Sequence, residues 1–212
     1  MIDAQVPVSD PPDPPRVAWR KRMRERVLEE AWLLAAEAGW DRVRMADLAR
    51  RAEVSRPSVY AEFGDRAGVG RALVERETGR FLLAVGAALE SRPGDVGAAL
   101  TTGVAHALIE AERNPFIAAV VRAARGGTDA LLPFLTSRPE PVLTAARELV
   151  AAWLDVVAAE APSWRRSEAA DAVVRLTISH MLSPSPDSAS TPERVAGVGC
   201  AVLGLPSPAE PG

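Results

Sequence analysis

Residues 45–66, "MADLARRAEVSRPSVYAEFGDR", leave the chain few conformations to choose from. Met45, Leu48, Ala49 and Ala52 recur at i, i+3, i+4 and i+7, the apolar face of a helix, but the pattern lasts only about two turns. A Ser-Arg-Pro-Ser cluster then breaks the chain, and Val59, Tyr60 and Phe63 resume helical spacing at once. Gly64 closes that second pattern after about two more turns. Two short helices separated by Glu53, Val54 and Ser55, with a further helix before them, make a helix-turn-helix.

Each residue of the second short helix has a physical assignment. Ser55 is the N-cap, whose hydroxyl accepts a bond from a free amide, and Pro57 sits in the first turn, where a missing N–H costs little. Val54, Val59 and Phe63 point inward. That leaves Arg56, Pro57, Ser58, Tyr60 and Ala61 outward. A helix is about 10 to 12 Å wide and the major groove of B-DNA about 12 Å, so a short helix can offer its first turn to base edges. Arg56 has the fork for a guanine, Ser58 bonds either base type, and Pro57 and Ala61 present apolar surface to a thymine methyl. Tyr60 and Arg66 suit phosphates.

Ala and Leu recur at spacings of three and four through the rest of the chain, with few β-branched runs and almost no alternation. The fold class is therefore all-α. Residues 1–15, with five prolines and few apolar residues, are expected to be a disordered arm. A first helix is predicted from Val17 to Ala38, with Val27, Ala31, Leu34 and Ala38 as its buried stripe, Gly39 as its left-handed stop and Trp40 turning back to the core. Residues 16–66 form the expected DNA-binding domain. A long helix from about Asp65 to Glu90, striped by Val69, Leu73, Phe81, Val85 and Leu89, links it to a second helical domain over 67–205. Turn signals cut that domain into helices near 95–113, 115–125, 129–136, 139–160, 164–182 and 192–204, with 206–212 as a flexible tail.

Net charge is −3 over 212 residues, yet residues 16–66 hold twelve Lys or Arg against nine Asp or Glu. A basic end can attract phosphate in an acidic protein. Within it Arg20, Lys21, Arg22, Arg24 and Arg26 read as a solvated face, with Arg20 and Arg24 able to reach phosphates. The single cysteine, Cys200, permits no intrachain disulfide and fits a reducing compartment. No secretory leader or membrane-spanning stretch is evident, so a cytoplasmic location without membrane association is expected. His106 and His180 lack metal-ligand spacing, and there is no phosphate-cradling loop, zincin pair or nucleophile elbow. Neither catalytic nor metal-binding residues are expected, nor a cofactor.

Residues 27–66, "VLEEAWLLAAEAGWDRVRMADLARRAEVSRPSVYAEFGDR", resemble the DNA-binding domain of the tetracycline-repressor (TetR) family. The likeness lies in an Ala-rich first helix ending Gly-aromatic, a short second helix with Leu-Ala, then Val-Ser-x-x-Ser-Val-Tyr-x-x-Phe and a basic residue three on. The resemblance implies a homodimeric transcription factor, usually a repressor, with a C-terminal helical domain that binds a small ligand. Three positions depart from the family pattern: Glu53 stands for the usual glycine, Arg44 for a capping Thr or Ser, and Glu62 for a frequent His. Glu53 is thus expected to be left-handed at a cost of about 1 kcal/mol. Arg44 trades a cap for a phosphate contact, and Glu62 needs a partner, for which Arg66 is the candidate.

An unknown and largely apolar effector would be lined by Phe81, Val85, Leu89, Val104, Leu108, Phe116, Val120, Phe134 and Trp153, with His106 to orient it. The resemblance pairs the last two helices with a second subunit, through Val173, Val174, Leu176, Thr177, His180 and Met181 and through Val195, Val198, Val202 and Leu203. Gly197 and Gly199 suggest close backbone approach there. The expectation is a ligand-released repressor on a pseudo-palindromic operator. The residues alone also fit a helical ligand- or protein-binding module that no longer engages DNA, or a small helical enzyme.

Overall fold

The computed structural model describes residues 14–115, 117, 118 and 140–207. Among them are eight α-helices and no strand: α1 (Pro15–Ala38), α2 (Met45–Arg51), α3 (Arg56–Phe63), α4 (Arg66–Glu90), α5 (Val96–Arg113), α6 (Glu140–Val157), α7 (Ser163–Leu182) and α8 (Thr191–Leu203). The helices expected at 115–125 and 129–136 lie almost wholly outside the described residues, as do residues 1–13 of the proposed arm.

Caps explain most boundaries. Pro15 opens α1 two residues before the expected Val17, in the position where proline is best tolerated. Asp65 and Asp95 cap α4 and α5 by accepting bonds from Gly68 N and Ala98 N at 2.7 and 2.9 Å. Gly39 ends α1 at φ 82, but its ψ of 152 is the extended mirror region rather than the left-handed helical one. The buried stripe of α1 is Met23, Val27, Leu28 and Ala31. Leu34 is half-buried and Ala38, expected inside, is exposed with the rest of the last turn, Ala36 and Glu37.

Two cores result. The first joins α1, α2 and α3 to the start of α4 around Val27, Leu28, Trp40, Leu48, Val59 and Leu73, all essentially inaccessible. The second joins the end of α4 to α5, α6, α7 and α8 around Leu100, Leu154, Val195 and Cys200. Burying such side chains contributes about 1.5 to 3 kcal/mol each. Helix α4 belongs to both cores, packing on α1 and α3 near its start and on α5 and α6 further along. It is the one element that runs from the first core into the second among the described residues.

Val173, Val174, Thr177, Val195 and Leu203, expected at a subunit contact, are buried in this second core within one chain. Helices α7 and α8 pack on each other and on α5, which covers part of their apolar faces. Of the other candidates, Leu176, His180, Met181 and Val202 are half-buried and Val198 is exposed. Gly199 makes a close approach inside the chain: a Cβ there would stand 2.7 Å from Val173 Cγ2, whereas Gly197 faces open space.

Candidate nucleic-acid interface

The turn into the recognition helix is built by hydrogen bonds. Glu53 N reaches Arg50 O at 3.2 Å and Val54 N reaches Ala49 O at 2.9 Å, the pairing of a Schellman motif. Glu53 occupies the position where glycine is usual and has φ 52, as the sequence led us to expect. Ser55 then caps α3, its Oγ accepting from Ser58 N at 3.2 Å and lying 2.8 Å from Ser58 Oγ. Val59 and Phe63 seat the helix in the first core.

This arrangement exposes Arg56, Pro57, Tyr60 and Ala61, while Ser58 is half-buried. Arg44 is exposed at the N-cap of α2, where it forms no side-chain cap. Arg44 and Arg56 make no ion pair or hydrogen bond among the described residues, so both guanidiniums face solvent unpartnered. The hydroxyl of Ser55, at the edge of this surface, is engaged in the cap.

Two expectations need correction. Glu62 is not offset by Arg66. It bonds to Arg20 Nε at 2.5 Å and Arg24 Nη1 at 3.2 Å, with its side chain only 7% exposed. Arg66 donates instead to the carbonyls of Asp41 and Trp40 at 3.1 and 3.4 Å, tying the start of α4 to the 3-10 turn Trp40–Arg42. Its Nη1 is thus committed to backbone rather than free for phosphate. Glu53 is met by Arg26 at 2.9 Å. Both carboxylates are therefore countered by arginines of α1, at the expense of Arg20 and Arg24 as free phosphate ligands.

Residues 27–73 match the family described as "Bacterial regulatory proteins, tetR family". Residues 95–200, half of the chain, match "Bacterial Tetracyclin repressor, C-terminal domain". The chain belongs to the TetR family. It is a DNA-binding transcriptional regulator by that membership. Among curated relatives, the HTH-type transcriptional regulator AlkX of Mycobacterium tuberculosis is 27% identical over 168 residues, covering 79% of this chain and 78% of that protein. Among solved structures, the repressor AlkX of Dietzia sp. strain DQ12-45-1b, implicated in biodegradation of n-alkanes, superposes with a TM-score of 0.63 at 24% identity, covering 85% of this chain and 93% of that one. RolR in complex with resorcinol gives 0.58 at 18% identity, over 90% and 91%. No described helix of this TetR-family chain is long and apolar enough to cross a membrane.

The second domain of this TetR-family chain holds a cavity of about 720 Å³ between α4, α5, α6 and α7. Phe81, Val85, Leu89 and Val104, four of the candidate effector-lining residues, line it. Leu108 lies instead in a separate groove beside His180 and Met181. His106 lines neither, and its Nε2 is buried without a partner among the described residues. Trp153 packs against the second core. Phe116, Val120 and Phe134 fall outside the described residues. Sequence reasoning missed Ile178 of α7 and Glu77 of α4, both on the cavity wall. Glu77 had a signal: it fills the gap between Leu73 and Phe81 in a stripe otherwise apolar at every fourth residue.

Proposed function

We propose that the protein acts as a homodimeric repressor whose paired α3 helices enter successive major grooves of a pseudo-palindromic operator, and that an apolar effector in the α4–α7 cavity releases it. Two half-sites would lie about 34 to 36 Å apart or at a multiple of that distance. The observation that carries this reading is Arg56, exposed and without an ion pair among the described residues in the first turn of a capped helix whose opposite face is buried. A guanidinium held in that way can bond two acceptors of one guanine at the same time. Support for ligand release comes from α4, which is shared by the wall of the cavity and the core of the helix-turn-helix. A coupling of about 1 to 3 kcal/mol, typical of such regulators, would weaken DNA binding roughly 5- to 150-fold.

Selection of bound duplexes from a random pool tests the DNA half of the proposal. The expected product is an inverted repeat whose affinity falls with salt, by about 0.9 log units per log unit for each phosphate contact. A selected pool no richer in any sequence than the starting one would defeat it. Release is tested separately, by displacing the selected duplex with apolar small molecules.

A further inference from the structure

The break in the α4 stripe is the most informative feature of the second domain. Burying a carboxylate among apolar side chains is costly without partners. Glu77 is nonetheless only 7% exposed, and it is the sole acidic residue among the described residues of the cavity wall. Its Oε1 accepts from Arg76 Nε at 2.9 Å and from Arg80 Nη1 at 3.2 Å, and Arg76 Nη2 lies 2.8 Å away. All of these contacts fall on Oε1, so Oε2 has no donor among the described residues.

The same arginines tie α4 to α1. Arg76 is 8% exposed; its Nη2 donates to the Leu28 carbonyl at 3.3 Å, and its Nη1 lies 3.3 Å from Glu29 and 3.6 Å from Glu25. Arg80 stands 3.6 Å from Glu25 and 3.7 Å from Glu29. The cluster thus sets Glu25, Glu29 and Glu77 against two guanidiniums, and one negative charge is left over. Arg175, the one cation among the described wall residues, is bound to Asp171 at 2.7 Å and its side chain is 57% exposed, so it offers an anion no buried seat.

We propose that Glu77 recognises the polar end of the effector, and that the effector is an amphiphile with an apolar body and an ammonium or hydroxyl head group rather than a carboxylate. The inference rests on the cavity being the effector site. A donor that reaches Glu77 competes with Arg76 and Arg80 for the carboxylate. Arg76 also holds the Leu28 carbonyl of α1, so occupancy is passed to the DNA-binding half through one side chain.

Decylamine, decanol and decanoate, used below their micellar concentrations, separate the head groups on one chain length. Binding to the full chain is measured by calorimetry, and release of the selected duplex by fluorescence anisotropy. Decylamine should bind about tenfold or more tighter than decanoate, with decanol between them, the range expected of one charge-assisted bond. Glu77→Gln should bring the amine and the carboxylate to within about threefold, and Glu77→Asp should keep the wild-type ranking. Decanoate binding as tightly as decylamine, or a ranking unchanged in Glu77→Gln, overturns the assignment. If Glu77→Gln does not fold, the ranking in the wild type and in Glu77→Asp decides. Failure of all three compounds to bind removes the cavity reading and this inference together. Correct ranking without release of DNA removes the release mechanism and leaves Glu77 as the recognition group.

Discussion

Arg24 Nη1 lies 3.2 Å from Oε1 of Glu62, and the same guanidinium sits 5.3 Å from the centroid of the Phe63 ring. One side chain of α1 therefore holds the last turn of the recognition helix through both a charge and a ring. Glu62 is nearly buried, whereas its other partner, Arg20, is 67% exposed. Arg24→Ala should lower stability by about 1 to 3 kcal/mol, since it weakens the pairing of a buried carboxylate and removes the ring contact. Arg20→Ala should cost about 0 to 1 kcal/mol. Denaturant midpoints of the two variants check the order.

On the selected operator, Arg56→Ala should lose about 1 to 3 kcal/mol of binding and relax preference at one base position, with stability unchanged. Ser55→Ala should behave in the opposite way, costing about 0.5 to 2 kcal/mol of folding through the lost cap. Equal loss by Arg56→Ala on operator and random DNA would mean that Arg56 only neutralises phosphate. Paired binding and melting measurements separate the two variants.

Glu53 carries positive φ, and its carboxylate, 82% exposed, pairs with Arg26 at 2.9 Å. Relief of the left-handed strain is worth about 1 kcal/mol, and an exposed ion pair about 0 to 1. Glycine also adds freedom to the unfolded chain. Glu53→Gly should thus stabilise the protein by less than about 1 kcal/mol, with the urea slope unchanged. A fall in midpoint would give the greater weight to the Arg26 pair.

Arg51 donates to both oxygens of Glu37, at 3.0 and 3.1 Å, which holds that carboxyl below the usual glutamate range. The fold favours the deprotonated form. The stabilisation is therefore complete above the ordinary value of roughly 4.3 and is lost as pH falls through the lower folded value. Glu37→Gln should flatten the acid limb of the stability curve in that window and leave the alkaline side alone. Melting temperatures across an acid titration of both proteins would reveal it.

Gly199 and Gly197 are two residues apart in α8 and should respond oppositely. Alanine at 199 would press on Val173 and Leu100, at 2.7 and 3.1 Å, and should cost about 1 to 3 kcal/mol. Alanine at 197 meets nothing within 4 Å and should stabilise the helix by about 0.5 to 1 kcal/mol. Loss of dimer in Gly197→Ala, seen by sedimentation with the fold intact, would put that glycine in a subunit contact.

Much of the helix-turn-helix was readable because its determinants are local. Ser55, Pro57, Val59, Phe63 and Gly64 specify cap, first turn, buried face and stop within ten residues, and Glu53 announces its own backbone by standing where glycine belongs. The partner of Glu62 was not readable, because Arg20 and Arg24 are about forty positions away and only the packing of α1 on α3 brings them near. The same limit holds for the residues expected at a subunit contact. An apolar stripe on α7 or α8 says that a face is buried, not whether α5 or a second subunit buries it. The cavity lay between these cases: Phe81, Val85 and Leu89 followed from one helical face, while Ile178 depended on where α7 crosses it.

Gly68 stands where α4 leaves the recognition helix, and a Cβ there would come within 1.8 Å of the Phe63 carbonyl oxygen. Only glycine lets the two backbones touch, and Asp65 clamps the same amide at 2.7 Å. With no side chain to act as a cushion, the joint has no slack. Under the proposed mode of release, a tilt of α4 would carry α3 with it, and the operator would read the attitude of a helix whose far end lies in another core.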